Sequence, residues 1–146
     1  QMPLYVRYIR DGSLIMVAED GIAGYSSSGE ERWTVSYENR LLHTFDVDYG
    51  GNCVVALGGN QNNTVVTMYT KNGEKTGEYT SDTEVLSLDA NGRYIALSEQ
   101  NRVSVINYKG KVQAARDSQR DIRRILLLSG RTTVVIGRSY VELMKL

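Results

Sequence analysis

The stretch Leu86–Lys111, "LSLDANGRYIALSEQNRVSVINYKGK", holds three runs of alternating apolar and polar residues, each followed by a short polar turn. Alternation of this length bounded by Asn-Gly and Lys-Gly reads as a meander of antiparallel strands, because successive side chains of a strand point to opposite faces. Shorter echoes of the same unit occur on both sides of it. Helix-period stretches are scarce. The best of them, "AARDSQRDIRRILLL", gathers its apolar residues at one end and runs into the β-branched "TTVVIG".

The echoes align into four copies when the glycine after the first strand of each is the anchor. Copy one reads "LYVRYIRDG", "SLIMVAEDG", "IAGYSSSG", "EERWTVSY" and copy two "LLHTFDVDYGG", "NCVVALGGNQNN", "TVVTMYTKNG", "EKTGEYT". Copy three, which contains the opening stretch, reads "EVLSLDANG", "RYIALSEQN", "RVSVINYKG", "KVQAAR", and copy four reads "DIRRILLLSG", "RTTVVIGRS", "YVELMKL". The anchors Gly12, Gly51, Gly92 and Gly130 are 39, 41 and 38 residues apart, close to the ~40–45 of a four-stranded propeller blade. The expected blades are 4–37, 43–80, 84–116 and 122–146, in an all-β fold of about four antiparallel sheets.

Each part of the unit has a physical reason. The anchoring glycines supply the positive φ of a tight hairpin. The second strands, "LIMVA", "CVVAL", "YIALS" and "TVVIG", are apolar nearly throughout, as suits a strand covered on both faces. The fourth, "EERWTVSY", "EKTGEYT" and "KVQAAR", is short and polar, as an exposed outer edge requires.

The copies resemble the blades of β-propellers of both the WD-repeat kind and the quinoprotein-like kind. The Trp-Asp pair that names the first group is replaced by "MYT" and "NYK". Gly29 and Trp33 in "GEERW" match the Gly-x-x-x-Trp spacing of the blade-docking tryptophan of the second, while copies two and three carry Gly77 and Ala114 at that position. The chain is also similar to bacterial propeller domains tethered by one N-terminal membrane helix. That likeness implies a cell-envelope or extracellular location and an anchor upstream, and implies no activity.

The chain has 17 basic and 17 acidic residues, distributed unevenly. Residues 1–92 carry 6 basic and 13 acidic side chains, whereas residues 93–146 carry 11 and 4. Opposite halves of this kind attract, within one molecule or head to tail between two. Copy four ends at its third strand, and only three residues precede the first strand of copy one. Leu146 is therefore expected to be the natural C-terminus of a larger propeller whose earlier blades lie before Gln1. Two copies meeting head to tail are the other way to close the ring.

Little of the sequence speaks for catalysis, and the expected role is not enzymatic. His43 is the only histidine and Cys53, within "NCVVAL", the only cysteine, so no zinc spacing exists and no internal disulfide forms. Cys53 reads as a small core residue. "GGNQNN" joins two strands and opens no helix, which removes the phosphate-loop reading. Asp46 and Asp48 alternate along one strand, but equivalent acids are missing from copy three, which has the single Asp89, and from copy four, so neither a metal nor a cofactor is expected. The arginines of "RDSQRDIRR" have Asp117 and Asp121 as partners and no interleaved aromatics, which speaks against nucleic acid.

In a blade meander, the loops from fourth to next first strand share a face with those from second to third. That face carries Glu38, Asn39, Arg40, Asn60, Asn62, Asn63, Asp82, Gln100, Arg120 and Asp121, the expected binding surface for a protein, peptide or glycan. The alternative is a propeller enzyme of quinoprotein or hydrolase type, its site mostly in upstream blades.

Overall fold

A computed structural model describes residues 2–146. The first sheet is formed by β1 (Pro3–Tyr8), β2 (Leu14–Ala18), β3 (Gly21–Tyr25) and β4 (Glu31–Ser36). The second holds β5 (Leu42–Val47), β6 (Cys53–Gly58), β7 (Thr64–Tyr69) and β8 (Lys75–Ser81). The third holds β9 (Ser87–Ala90), β10 (Tyr94–Glu99), β11 (Arg102–Asn107) and β12 (Val112–Asp117), and the fourth β13 (Arg124–Leu127), β14 (Thr132–Ile136) and β15 (Val141–Lys145). Every sheet is an antiparallel meander in chain order. The fold is all-β and propeller-like.

The core lies between sheets. One apolar cluster, with Ile15, Val17, Ile22, Val47 and Val55, fills the space between sheets one and two. A second, around Val54, Met68, Ile95 and Leu97, lies between two and three, and a third, around Ala96, Val105, Ile125 and Val135, between three and four. Alternate residues of β6 and β10 therefore face different clusters, which is why these strands are buried along almost their whole length. The outer strands β4, β8 and β12 are mostly exposed.

The turns repeat as closely as the strands. Gly12, Gly51, Gly92 and Gly130 all adopt positive φ, and so do Gly29, Gly73 and Gly110 at the second hairpin of the first three sheets. Four residues before each of the latter three, at Tyr25, Tyr69 and Ile106, the pairing slips by one residue. A tight turn closed by a left-handed glycine produces this bulge and adds twist.

Neighbouring sheets are tied differently at each seam. Trp33 lies over Gly24 of its own sheet and Gly73 of the next, and its indole N–H donates to the Lys71 carbonyl at 2.9 Å. Gly77 and Gly110 replace the tryptophan at the next seam, where backbones meet so closely that a Cβ on Gly110 would fall 2.0 Å from the Glu78 carbonyl oxygen. At the last seam Arg131 and Arg116 donate to the carbonyls of Gln113 and Lys145 at 3.1 and 3.5 Å. Along the inner strands, Asp46 accepts from the Ala90 N–H at 2.8 Å and Asp89 from the Leu127 N–H at 2.6 Å.

Leu4, Val6 and Tyr8 remain exposed on the outward side of the first sheet. Leu128, Val141 and Leu143 do so on the fourth.

Candidate functional site

The loop face is built by connections at one end of the sheets. Two of them are tight turns whose central residues, Glu38 and Asn39 in one and Gln61 and Asn62 in the other, have φ between 56 and 68°. Each is closed by a backbone bond, Arg40 N–H to Tyr37 O and Asn63 N–H to Asn60 O, both 3.2 Å. Among the described residues these four are the only non-glycines at positive φ. The left-handed region costs an ordinary residue roughly 1 kcal/mol, and asparagine tolerates it best. Both strained turns stand beside one cavity.

That cavity, of about 610 Å³, opens at the end of the second sheet. Asn39, Arg40, Asn60, Asn62 and Asn63 line it together with Leu41, His43, Val65, Thr80 and Glu84. It shares Asn39, Arg40 and Leu41 with a smaller hollow that reaches Glu19 and Asp20 on the first sheet. On the other side it shares Asn62 and Glu84 with a hollow leading to Asp82, Leu86 and Gln100. The last of these hollows shares Asp82, Thr83 and Gln100 with one at Asn101 and Asp117 on the third sheet. The result is a groove across three sheets.

Seven of the ten expected face residues thus flank one groove, with Asp82 and Gln100 in its second half. Glu38 is exposed at a turn tip and lines none of these hollows. Arg120 and Asp121 stand apart, over the fourth sheet. The Arg120 guanidinium stacks 3.4 Å from the Tyr140 ring centre, and Asp121 accepts the Arg138 N–H at 2.9 Å and pairs with Arg123 at 3.6 Å.

The end of the groove rests on a buried carboxylate. Glu99, 4 % exposed, accepts hydrogen bonds from Tyr79 and Ser81 of the second sheet and from Arg102 and Ser104 of the third. Burial alone would raise its pKa, but the bonds from Arg102, Ser104 and Ser81 outweigh burial and hold it below the usual glutamate range. A carboxylate so saturated is a structural clasp between sheets.

Sequence reasoning missed Glu99, Glu84, Thr80 and Val65. Glu84 had one signal, its place two residues after Asp82 in the linker "SDTEV". His43 lies half-buried in the cavity wall, and its Nδ1 is buried without a hydrogen-bond partner among the described residues. Cys53 is fully buried, and burial with the nearby charge of Asp48 pushes its thiol up to about 12. At that value it remains a neutral thiol.

Asp46 and Asp48 do not share a strand, because β5 ends at Val47 and Asp48 opens the turn that follows. Asp48 accepts from the backbone and side chain of Asn52, each at 3.0 Å, and from the Tyr108 hydroxyl at 3.3 Å, which occupies it in a turn. Asp46 faces Asp89. Burial and that neighbouring charge push it up to about 6, against the N–H groups of Ala90 and Val47 that pull it down.

Comparison with solved structures places the fold. A protein of unknown function from Bacteroides caccae is 14% identical and superposes with a TM-score of 0.67, over 99% of this chain and 57% of that one. BamB from Moraxella catarrhalis is 17% identical with a TM-score of 0.58, over 97% of this chain and 41% of BamB. The Neurospora crassa Pan2 WD40 domain is 13% identical with a TM-score of 0.65, over 97% and 46%. The chain spans about half the length of these structures. No curated protein matches the sequence. The family model for a family of unknown function, DUF5711, matches residues 1–146, and the chain belongs to that family.

Proposed function

We propose that this chain is a non-enzymatic binding scaffold of the bacterial cell envelope, with its ligand site in the groove of the loop face. One observation carries the reading: three separate connections, those ending β4, β6 and β8, bring Asn39, Arg40, Asn60, Asn62, Asn63 and Glu84 to a single cavity. Amides donate and accept at once, so a wall of asparagines suits recognition of a polar ligand. Each turn is closed by its own backbone hydrogen bond without the ligand, and a wall shaped in advance reduces the ordering cost of binding. The envelope location rests on the likeness to tethered bacterial propellers.

The two apolar ends fit the same picture. Leu4, Val6 and Tyr8 at one end and Leu128, Val141 and Leu143 at the other suit contact with further blades or with a second copy, as a closed ring requires.

Arrays of peptides and glycans probed with the purified protein test the site. Thr80 is exposed on β8 and lines the cavity, so Thr80→Trp fills it without disturbing the core. The variant is expected to lose the captured ligands while keeping the wild-type unfolding midpoint. Undiminished capture by folded Thr80→Trp would remove the cavity as the site.

A further inference from the structure

The groove is mostly polar and unbalanced in charge. Glu19 and Asp20 stand at its first hollow, Glu84 in the central cavity, Asp82 beyond it and Asp117 at the far end. Among the described residues none of these carboxylates forms an ion pair. Arg102 is committed to Glu99 at 2.8 Å, which among the described residues leaves Arg40 as the one groove cation without a carboxylate partner. Aliphatic side chains interrupt the polar walls at two places, Leu41 and Leu86, which are 72% and 66% exposed.

We infer that the groove takes an extended, cationic peptide segment, its Lys or Arg side chains against the unpaired carboxylates, its backbone against the asparagine amides and its apolar side chains on Leu41 and Leu86. This rests on the binding reading above and names the ligand for that site. An extended chain is the form that fits, because the hollows follow one another across three sheets instead of deepening into one pit. Its backbone offers N–H and C=O groups in alternation, which asparagine side chains match. Charge complementarity selects the sign of the ligand and speeds encounter, with single exposed pairs contributing modestly. Arg40 opposes such a ligand, so its removal and the removal of an acid should act in opposite directions.

The probe is a fluorescein-labelled peptide of alternating Lys and Gly with a Leu near each end, titrated with protein at low salt and followed by anisotropy. The same peptide with Glu in place of Lys is the control. Wild type is expected to bind the Lys peptide and leave the Glu peptide free, and added salt is expected to weaken binding. Asp82→Asn together with Glu84→Gln should raise Kd roughly fivefold or more, whereas Arg40→Ala should lower it by about twofold. All these side chains are exposed, so the variants keep the fold.

Equal binding of the two peptides, or a double variant as tight as wild type, overturns the cationic ligand. If array capture is lost in Thr80→Trp but the captured ligands are neutral or acidic, the cavity stands and this inference falls. If the Lys peptide binds Thr80→Trp and the acid variant as well as wild type, site and ligand both fall. A dimer seen by light scattering that dissociates in the Asp82→Asn, Glu84→Gln protein would seat a second copy in the groove and overturn the external peptide.

Discussion

The two flanks of the loop face are built from the same kind of connection, yet they treat charge in opposite ways. Over the fourth sheet, Arg120 stacks on Tyr140, and Asp121 serves both the Arg138 N–H and Arg123. Over the first three sheets, among the described residues, the exposed carboxylates of Asp82, Glu84, Glu19 and Asp20 have no such partners, and the only strained non-glycine turns stand among them. Charges that satisfy one another hold a loop in place. Charges left without partners beside a preformed groove are free to meet a ligand. On the proposed reading, the expected binding surface divides into a ligand-facing flank and a structural one.

Glu99 offers the largest way to break that division, because it is the one groove acid that is structural. Glu99→Ala leaves the buried Ser81 and Ser104 hydroxyls without their acceptor, while the half-exposed Arg102 turns to solvent, and is expected to cost about 2–3 kcal/mol in urea unfolding. A loss below about 1 kcal/mol would show that the clasp between the second and third sheets is dispensable.

A smaller effect separates the inner wall from the loop face. The folded-state pKa of Asp46 lies near 6, above the ordinary Asp value of about 3.9. The folded state therefore holds its proton more tightly than the unfolded chain, and the stability from this group is complete below about pH 4 and lost as pH rises through about 6. Asp46→Asn removes that slope while keeping an acceptor for the Ala90 N–H. Its urea midpoint should gain on wild type as pH rises across this window, and a constant difference would contradict the shared environment with Asp89.

The smallest expected effect belongs to the structural flank. Arg120→Ala loses the stack on Tyr140, worth about 0.5–1 kcal/mol at an exposed site, and should leave binding of the Lys peptide unchanged. A binding defect in this variant as large as that of the acid pair would join the two flanks into one surface.

Most of the architecture was legible in residues that solve local problems. Only a hairpin needing positive φ explains Gly12, Gly51, Gly92 and Gly130 at near-equal spacing, and only a strand covered on both faces explains "CVVAL" and "YIALS". Trp33 was legible as a dock through the resemblance of Gly29-x-x-x-Trp33 to the quinoprotein-like blade motif, whose spacing lies within one hairpin. The seams that lack tryptophan were not legible. The closeness of Gly77 to Lys109 depends on how two distant sheets meet, and nothing in either hairpin announces it. Glu99 was hidden for the same reason: its partners Tyr79 and Ser81 come from another sheet, and its own strand reads as apolar. The groove was half legible, since loop connectivity puts Asn39, Asn60 and Asp82 on one face, but the separation of Arg120 and Asp121 from it follows from contacts with Tyr140 and Arg138 that alternation does not encode.

Whether the amide and carboxylate groove over the first three sheets receives the ligand is decided by backbone amide chemical-shift mapping during titration with the Lys peptide. Shifts are expected to concentrate at residues 39–41, 60–65, 80–86 and 100–101, with residues 120–124 and 138–140 unmoved. Shifts confined to the fourth sheet, or to the outward side of the first, would contradict it.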